Sequence, residues 1–155
     1  MIAPEPPMHA QNLAYSDDLI RNIFASVRRI AVVGASNNPA RASFGVLNFL
    51  AGQGYTMLAV NPGLAGGIIG SAPVYAKLAD VPAPIDMVDI FRNSDAAGDV
   101  VDECLALPVL PKVIWMQLEI INQAAAERAQ ARGITVIMDR CPHIEIARLG
   151  LPRIA

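Results

Sequence analysis

The chain has 155 residues, of which 54% are hydrophobic. This suits one globular domain with a sizeable core and excludes a disordered chain. The formal net charge is −2 with no basic block, so we expect no nucleic-acid binding through a phosphate-neutralising surface. No apolar run approaches the roughly 18 residues of a membrane span, and the N-terminus lacks the basic and apolar regions of a signal peptide, which predicts a cytoplasmic protein.

The N-terminal residues 1–15 contain three prolines and little periodicity, and we interpret them as an arm that precedes a single domain over residues 16–155. Ser16 is a typical N-cap residue, and the two acids that follow it suit the first turn of a helix. Apolar residues then recur at the spacing of one helix face. They are Leu19, Ile20, Ile23, Phe24 and Val27.

Five short apolar segments follow, with the length and composition of buried strands. They are IAVVG (30–34), YTMLAV (55–60), IDMVDIF (85–91), KVIWM (112–116) and ITVIMD (134–139). Residues 61–75 are rich in glycine and proline, which predicts a long loop with one short strand near Ile68 and Ile69, and a helical turn is expected over 76–79.

Helical patterns separate the strands. The first follows residue 43 and ends near Gly52 or Gly54, and the second is predicted to begin with Ser94 as its cap. An alanine-rich helix over 122–132 is closed by Gly133. A last helix over 142–149 has proline in its first turn.

Buried strands that alternate with helices predict a mostly parallel sheet covered on both faces. With right-handed crossovers this is a doubly wound, Rossmann-like, three-layer α/β/α domain. Ligands of such sheets bind outside the carboxyl ends of the strands, so the residues that follow the strands are the candidate site. They are Gly34-Ala35-Ser36, Asn61-Pro62, Phe91-Arg92-Asn93-Ser94, Met116-Gln117 and Asp139-Arg140-Cys141.

The loop after the first strand has the character of a phosphate cradle. Gly34 suits a tight turn, residues 36–38 can expose N–H groups, and Ser43 lies where the next helix begins, an arrangement that aims donors at an anion. Arg41 is the cation of the loop, and a guanidinium binds phosphate well. The alternative is a surface turn with a solvated arginine; the position between a strand and its helix favours the cradle.

Two common nucleotide motifs are absent from this loop. The chain has no GK[ST] sequence, which a P-loop requires. In the NAD fingerprint GxGxxG the glycine positions fall on Gly34, Ser36 and Pro39, and the second strand ends in Asn61-Pro62 where the fingerprint has an acid. Without that acid NAD is disfavoured, whereas NADP and coenzyme A, which carry a phosphorylated ribose, both remain open.

A catalytic set is hard to find. Asp86 is expected at the start of its strand, away from the ligand edge, and Asp89 is expected to be a hydrogen-bonded structural acid. Cys104 falls on an apolar helix stripe and is interpreted as core. Cys141 follows a strand tip near a helix start, so both an inert buried thiol and a reactive one are open. Cys141 and His143 alone do not make a metal site.

The order and spacing of five motifs resemble one family. They are VVGASNNPARAS (32–43), VNPGLAG (60–66), DMVDIFRNS (86–94), VIWMQL (113–118) and MDRCP (138–142). From about Arg29 to Leu149 the chain resembles the small stand-alone coenzyme-A-binding proteins, whose Rossmann-like domain is similar to the N-terminal domain of the succinyl-CoA synthetase α subunit.

The resemblance implies that coenzyme A (CoA) lies across the strand tips. Residues of the first loop would approach its phosphates, and the later tips would border the nucleotide and close the pocket. The implied ligand-binding residues are Gly34, Ala35, Ser36, Asn37, Pro39, Arg41, Ser43, Asn61, Pro62, Phe91, Arg92, Asn93, Ser94, Met116 and Gln117. Cys141, at the same edge, is a hypothetical contact for the thiol of CoA.

The chain also departs from the family pattern. Of the synthetase motif GxTGxxG, Ser36 stands at the threonine, and Asn37 and Ala40 replace the later glycines. Glu119 stands where relatives usually have glycine. The catalytic phosphohistidine of the synthetase belongs to a domain with no counterpart in this sequence, so the resemblance does not imply ligase activity.

Three functional hypotheses follow. The first is a non-catalytic CoA-binding protein, because the phosphate cradle is accompanied by no catalytic set. The second is a small NADP-dependent reductase or a subunit of an acyl-CoA enzyme. The third is an interaction protein that has the fold without the ligand.

Overall fold

A seven-stranded sheet forms the centre of the molecule in the computed structural model, which describes residues 14–154. Its strand order is β3-β4-β2-β1-β5-β6-β7. All pairings are parallel except that between β3 and β4. The strands are β1 (Arg29–Val33), β2 (Thr56–Val60), β3 (Ile68–Ile69), β4 (Ala72–Tyr75), β5 (Met87–Ile90), β6 (Val113–Met116) and β7 (Thr135–Ile137).

Helices cover both faces of the sheet. Within residues 14–154 they are α1 (Asp17–Ser26), α2 (Ala42–Gly52), α3 (Ser94–Leu105), α4 (Gln123–Gln130) and α5 (Pro142–Leu149). Side chains alternate along each strand, so one hydrophobic cluster joins the sheet to α1, α2 and α5, and a second joins it to α3 and α4. The predicted three-layer, mostly parallel α/β fold is therefore confirmed.

Several predicted element boundaries are also confirmed. Ser16 caps α1 by accepting a hydrogen bond from the N–H of Leu19 (3.1 Å). Asp86 lies just before β5, where its carboxylate accepts N–H groups of Arg28 and Arg29 at 2.8 and 2.9 Å. This acid thus ties the amino ends of β1 and β5 together, at the edge opposite to the predicted site.

Two expectations about local structure are wrong. Residues 72–75 were expected in a loop, but they form β4, which pairs with β2 through Val74 and Tyr75. The cap of α3 is Asn93, whose side-chain oxygen accepts the N–H of Ala96 (2.8 Å). Ser94 instead accepts the N–H of Ile121 with its hydroxyl (3.1 Å), so it links α3 to the segment that precedes α4.

The predicted N-terminal arm falls on residues that the structure describes only from Ala14 onward. Tyr15 packs against the domain, where its hydroxyl accepts the N–H of Met138 (2.9 Å). Burial raises the pKa of this phenol above its ordinary value. The division into an arm and a single domain remains a prediction. Within residues 14–154, none of the helices combines the length and apolar character needed to cross a bilayer.

Candidate functional site

Two adjoining clefts open at the carboxyl ends of the central strands. From β1 the sheet extends to β2 on one side and β5 on the other, which makes this the switch point where doubly wound sheets bind ligands. The first cleft has a volume of about 420 Å³ and the second about 350 Å³. The first is lined by Val33, Gly34, Ala35, Val60, Asn61, Pro62, Ala76, Lys77, Leu78, Phe91, Arg92 and Glu103. The second is lined by Gly34, Ser36, Arg41, Ala42, Ser43 and Phe91.

Gly34 is shared by both clefts because the chain turns there at the tip of β1. Its φ is +85°, a left-handed conformation that other residues adopt at a cost. A Cβ at this position would lie 2.6 Å from the carbonyl oxygen of Phe91. The tip of β5 therefore approaches the turn too closely for any side chain, and this contact sets the common wall of the two clefts.

Hydrogen bonds within the loop between β1 and α2 fix its shape. The N–H of Asn38 donates to the hydroxyl of Ser36 (3.0 Å), and the N–H of Ala40 donates to the side-chain oxygen of Asn38 (2.9 Å). The N–H of Arg41 donates to the carbonyl of Asn38 (2.9 Å). The polar residues of this segment thus build a tight turn that leads into α2.

The loop leaves four backbone donors without an acceptor among the described residues. They are the N–H groups of Ser36, Asn37, Ala42 and Ser43. Ala42 and Ser43 form the first turn of α2, where the helix dipole adds positive potential. Arg41, at the N-cap, is exposed and makes no capping bond with its side chain. Free N–H groups and a guanidinium beside a helix N-terminus form an anion-binding arrangement.

Not all of the expected loop donors are available. The N–H groups of Gly34 and Ala35 both donate to the carbonyl of Val60, at 3.2 and 3.3 Å. These two residues therefore join the tips of β1 and β2 instead of offering their N–H groups to a ligand. Asn37 and Pro39 are exposed and line neither cleft.

Asn61 uses both ends of its side chain to hold the first two strand tips together. Its amide nitrogen donates to the carbonyl of Ala35 (2.8 Å), and its oxygen accepts the N–H of Gly63 (2.8 Å). An aspartate could not donate to Ala35, so this bridge gives a structural reason for an amide at the tip of β2. Pro62 begins the short turn that follows and lies in the first cleft.

The tip of β5 contributes two lining residues and two structural ones. Phe91 separates the clefts, and the Cδ of Arg92 would lie 3.1 Å from a Cβ on Gly34, so its stem covers the turn. Asn93 and Ser94 use their side-chain oxygens in the α3 cap and the link to Ile121.

The predicted residues at the other tips lie outside the two clefts. Met116 is fully buried in the core against α3 and α4, and Gln117 is 6% exposed, with its side-chain oxygen lacking a hydrogen-bond partner among the described residues. Cys141 lies in a third cleft of about 410 Å³, beside Arg140 and Glu145. The structure therefore gathers the first-loop, β2 and β5 residues and leaves those of β6 and β7 apart.

Sequence reasoning missed two charged residues in the first cleft. Lys77 follows β4, and Glu103 projects from α3. Lys77 went unnoticed because the Gly- and Pro-rich segment before it was interpreted as a loop. Recognition of β4 would have placed it at a strand tip. Nothing in the sequence signalled Glu103, whose position depends on how α3 packs against a short 3-10 turn, Leu78–Asp80.

Two buried groups bear on the chemistry of the domain. Asp89 is fully buried, and neither of its oxygens has a hydrogen-bond partner within residues 14–154, so its interpretation as a hydrogen-bonded acid is wrong. Burial raises the pKa of this carboxyl well above its usual value. Burial likewise raises the pKa of the Cys104 thiol to about 12, which agrees with its predicted place in the core.

Known proteins with similar sequences and structures share this fold. The sequence profile of a family described as the CoA binding domain matches residues 28–147. YneT, an uncharacterized protein of Bacillus subtilis, is 34% identical over 122 residues, which cover 79% of this chain and 87% of that protein. The structure of cell-free ID.343 from Thermus thermophilus has 34% identity and a TM-score of 0.81, covering 87% of this chain and 99% of the other. A hypothetical protein from Pyrococcus horikoshii has 28% identity and a TM-score of 0.81, covering 96% and 99%.

Proposed function

The chain belongs to the CoA binding domain family, and we propose that it binds coenzyme A, or an acyl-CoA, at the carboxyl ends of the sheet without catalysing a reaction. The ligand lies across both clefts, with its pyrophosphate at the loop before α2. The residues that contact it are those that line the two clefts, and Gly34 and Phe91 are common to both.

The observation that carries this proposal is the set of free backbone donors beside Arg41. Three of these N–H groups, on Ser36, Ala42 and Ser43, belong to residues that line the second cleft, and a pyrophosphate supplies oxygens for such donors. The amide at Asn61 places no carboxylate at the β2 tip, in keeping with a phosphorylated ribose.

Titration calorimetry with CoA, NADP and NAD tests this function. We expect CoA to bind more tightly than either dinucleotide; preferential binding of NAD would contradict the proposal. If NADP binds best, hydride transfer from NADPH to a panel of carbonyl compounds tests the reductase alternative. If no nucleotide raises the melting temperature, the fold serves an interaction and the ligand proposal is wrong.

Arg41→Ala is expected to weaken CoA binding about tenfold while leaving the free energy of unfolding unchanged. The guanidinium is exposed and would make a charge-assisted contact with phosphate, for which tenfold corresponds to about 1.4 kcal/mol. Calorimetry at two salt concentrations measures the effect, and the loss should shrink at high salt because the contact is screened. Arg132→Ala, an exposed arginine that follows α4, is the matched control and should bind normally.

Cys141 provides a separate test of how far the ligand reaches. We expect oxidised CoA to modify this thiol: the Cys141 thiolate attacks the disulfide, a mixed disulfide forms, and one CoA thiol leaves. Intact-mass spectrometry should show one added CoA on the wild type and none on Cys141→Ser. An unmodified wild-type chain would mean that the thiol end of CoA does not reach the third cleft, or that the buried Cys141 is inert there.

A further inference from the structure

Lys77 is a cation placed at a strand tip without an acidic partner among the described residues. It is exposed, it lines the first cleft two residues after the end of β4, and it takes part in no ion pair within residues 14–154. The chain has one other lysine, Lys112, which lies at the amino end of β6, 4.0 Å from Asp86. Lys77 therefore lies at the carboxyl ends of the parallel strands, and Lys112 lies at their amino ends.

The walls of the first cleft place Lys77 opposite a second cation. Lys77 follows β4 and Arg92 follows β5, and the tips of β2 and β1 lie between them. Apolar side chains, such as Val33, Val60 and Leu78, contribute to the lining between these cations, and Glu103 is the one acid among the described lining residues. Two cations and one acid leave a net positive charge, which favours an anionic group.

The two clefts suit different parts of a nucleotide: the second suits the pyrophosphate, and the first suits the ribose and a phosphate attached to it. The second cleft is lined by Arg41 and by three residues whose N–H groups have no acceptor among the described residues, Ser36, Ala42 and Ser43, an arrangement that suits a pyrophosphate. It joins the first cleft at Gly34 and Phe91. A nucleotide whose pyrophosphate lies in the second cleft would extend its ribose into the first, toward the tips of β2 and β4. In doubly wound folds an acid at the β2 tip binds a free ribose diol, whereas a nearby cation accommodates a ribose phosphate.

We propose that Lys77 binds the phosphate on the ribose of the ligand and so makes the chain select nucleotides with a phosphorylated ribose. This inference rests on the proposed function, since it names the group that the same site recognises. Asn61 supports it, because its amide oxygen and nitrogen are both engaged and it presents no negative charge to a phosphate. The ammonium of Lys77 can move to the phosphate without breaking an ion pair to any described residue.

Calorimetry with CoA and dephospho-CoA, which lacks the ribose phosphate, tests the inference. Wild-type protein should bind CoA about tenfold more tightly, as a charged contact in a partly open cleft allows. Lys77→Gln should bring the two affinities to near equality by weakening CoA binding alone. Lys112→Gln is the matched control and should retain the wild-type ratio, because its ammonium lies at the opposite edge of the sheet.

Chemical labelling supplies a readout that does not depend on affinity. Lys77 should be protected from an amine-reactive reagent by saturating CoA but not by saturating dephospho-CoA, whereas Lys112 should react equally in both. Peptide mass spectrometry measures the two lysines in one sample.

The outcomes separate the inference from the function on which it rests. A wild type that binds both nucleotides equally, or a Lys77→Gln protein that keeps the wild-type ratio, overturns the role of Lys77 and leaves CoA binding intact. If Lys77→Gln weakens both nucleotides alike, the lysine has only a general electrostatic effect and the inference is wrong. A wild type that binds neither nucleotide contradicts the proposed function itself.

Discussion

Gly34→Ala is expected to destabilise the protein and to weaken CoA binding by at least about tenfold. The new Cβ would lie 2.6 Å from the carbonyl oxygen of Phe91, a backbone atom that cannot move without shifting the tip of β5. The φ of +85° adds about 1–2 kcal/mol for a left-handed L-residue. Since Gly34 and Phe91 line both clefts, relief of this contact changes the shape of the whole candidate site.

Gly133→Ala is the control that measures the cost of a left-handed φ without a steric clash like that between a Cβ at residue 34 and Phe91. Gly133 has a similar φ of +82°, but a Cβ there would meet no described atom within 4 Å. Both variants should lose the same conformational term in urea unfolding, and only Gly34→Ala should lose more than this and also lose CoA affinity in calorimetry. Equal stability losses with normal binding by both variants would show that the β5 tip yields to the side chain without consequence for the site.

Local patterns predicted the elements whose identity depends on their own residues. Apolar runs marked the strands β1, β2, β5, β6 and β7, and the apolar spacing after Ser16 marked α1. The segment before Lys77 could not be predicted in this way, because β4 contains Pro73 and is held by pairing to β2 and β3. Adjacent Asn93 and Ser94 are both good caps by residue type, and only the path of the backbone selects Asn93.

The site residues also fall into two groups: those placed by their neighbours in the sequence, which could be predicted, and those placed by distant contacts, which could not. Gly34 and the loop leading to Arg41 were predicted because a turn between a strand and a helix has its signature within a few residues. The bridge from Asn61 to Ala35 spans 26 positions, and the side chain of Glu103 enters the cleft from another layer. Glu119 has a φ of +68°, and its N–H donates to Asp139 (2.6 Å), so this position adopts a left-handed conformation that glycine adopts at lower cost.

Asp89→Asn is expected to make the protein more stable at neutral and alkaline pH. Asp89 is fully buried, and in residues 14–154 neither oxygen finds a hydrogen-bond partner. Burial raises the pKa of the carboxyl well above its usual value near 3.8, so folding favours the protonated form. As pH rises, the unfolded chain loses this proton before the folded chain does, and the folded state becomes less favourable.

Urea unfolding across a pH series should show this effect as a difference between two curves. At pH below the unfolded pKa of about 3.8 the carboxyl is protonated in both states, so its contribution to stability is greatest there and is lost progressively up to the raised folded pKa. The amide side chain of the variant has no such proton to lose. The stability of Asp89→Asn relative to wild type should therefore grow through this window, because only the wild type loses a proton there. Asp99→Asn, at an exposed position on α3, is the control and should follow the wild-type curve. A wild type that gains stability over Asp89→Asn as pH rises would mean that Asp89 is ionised and paired in the folded protein.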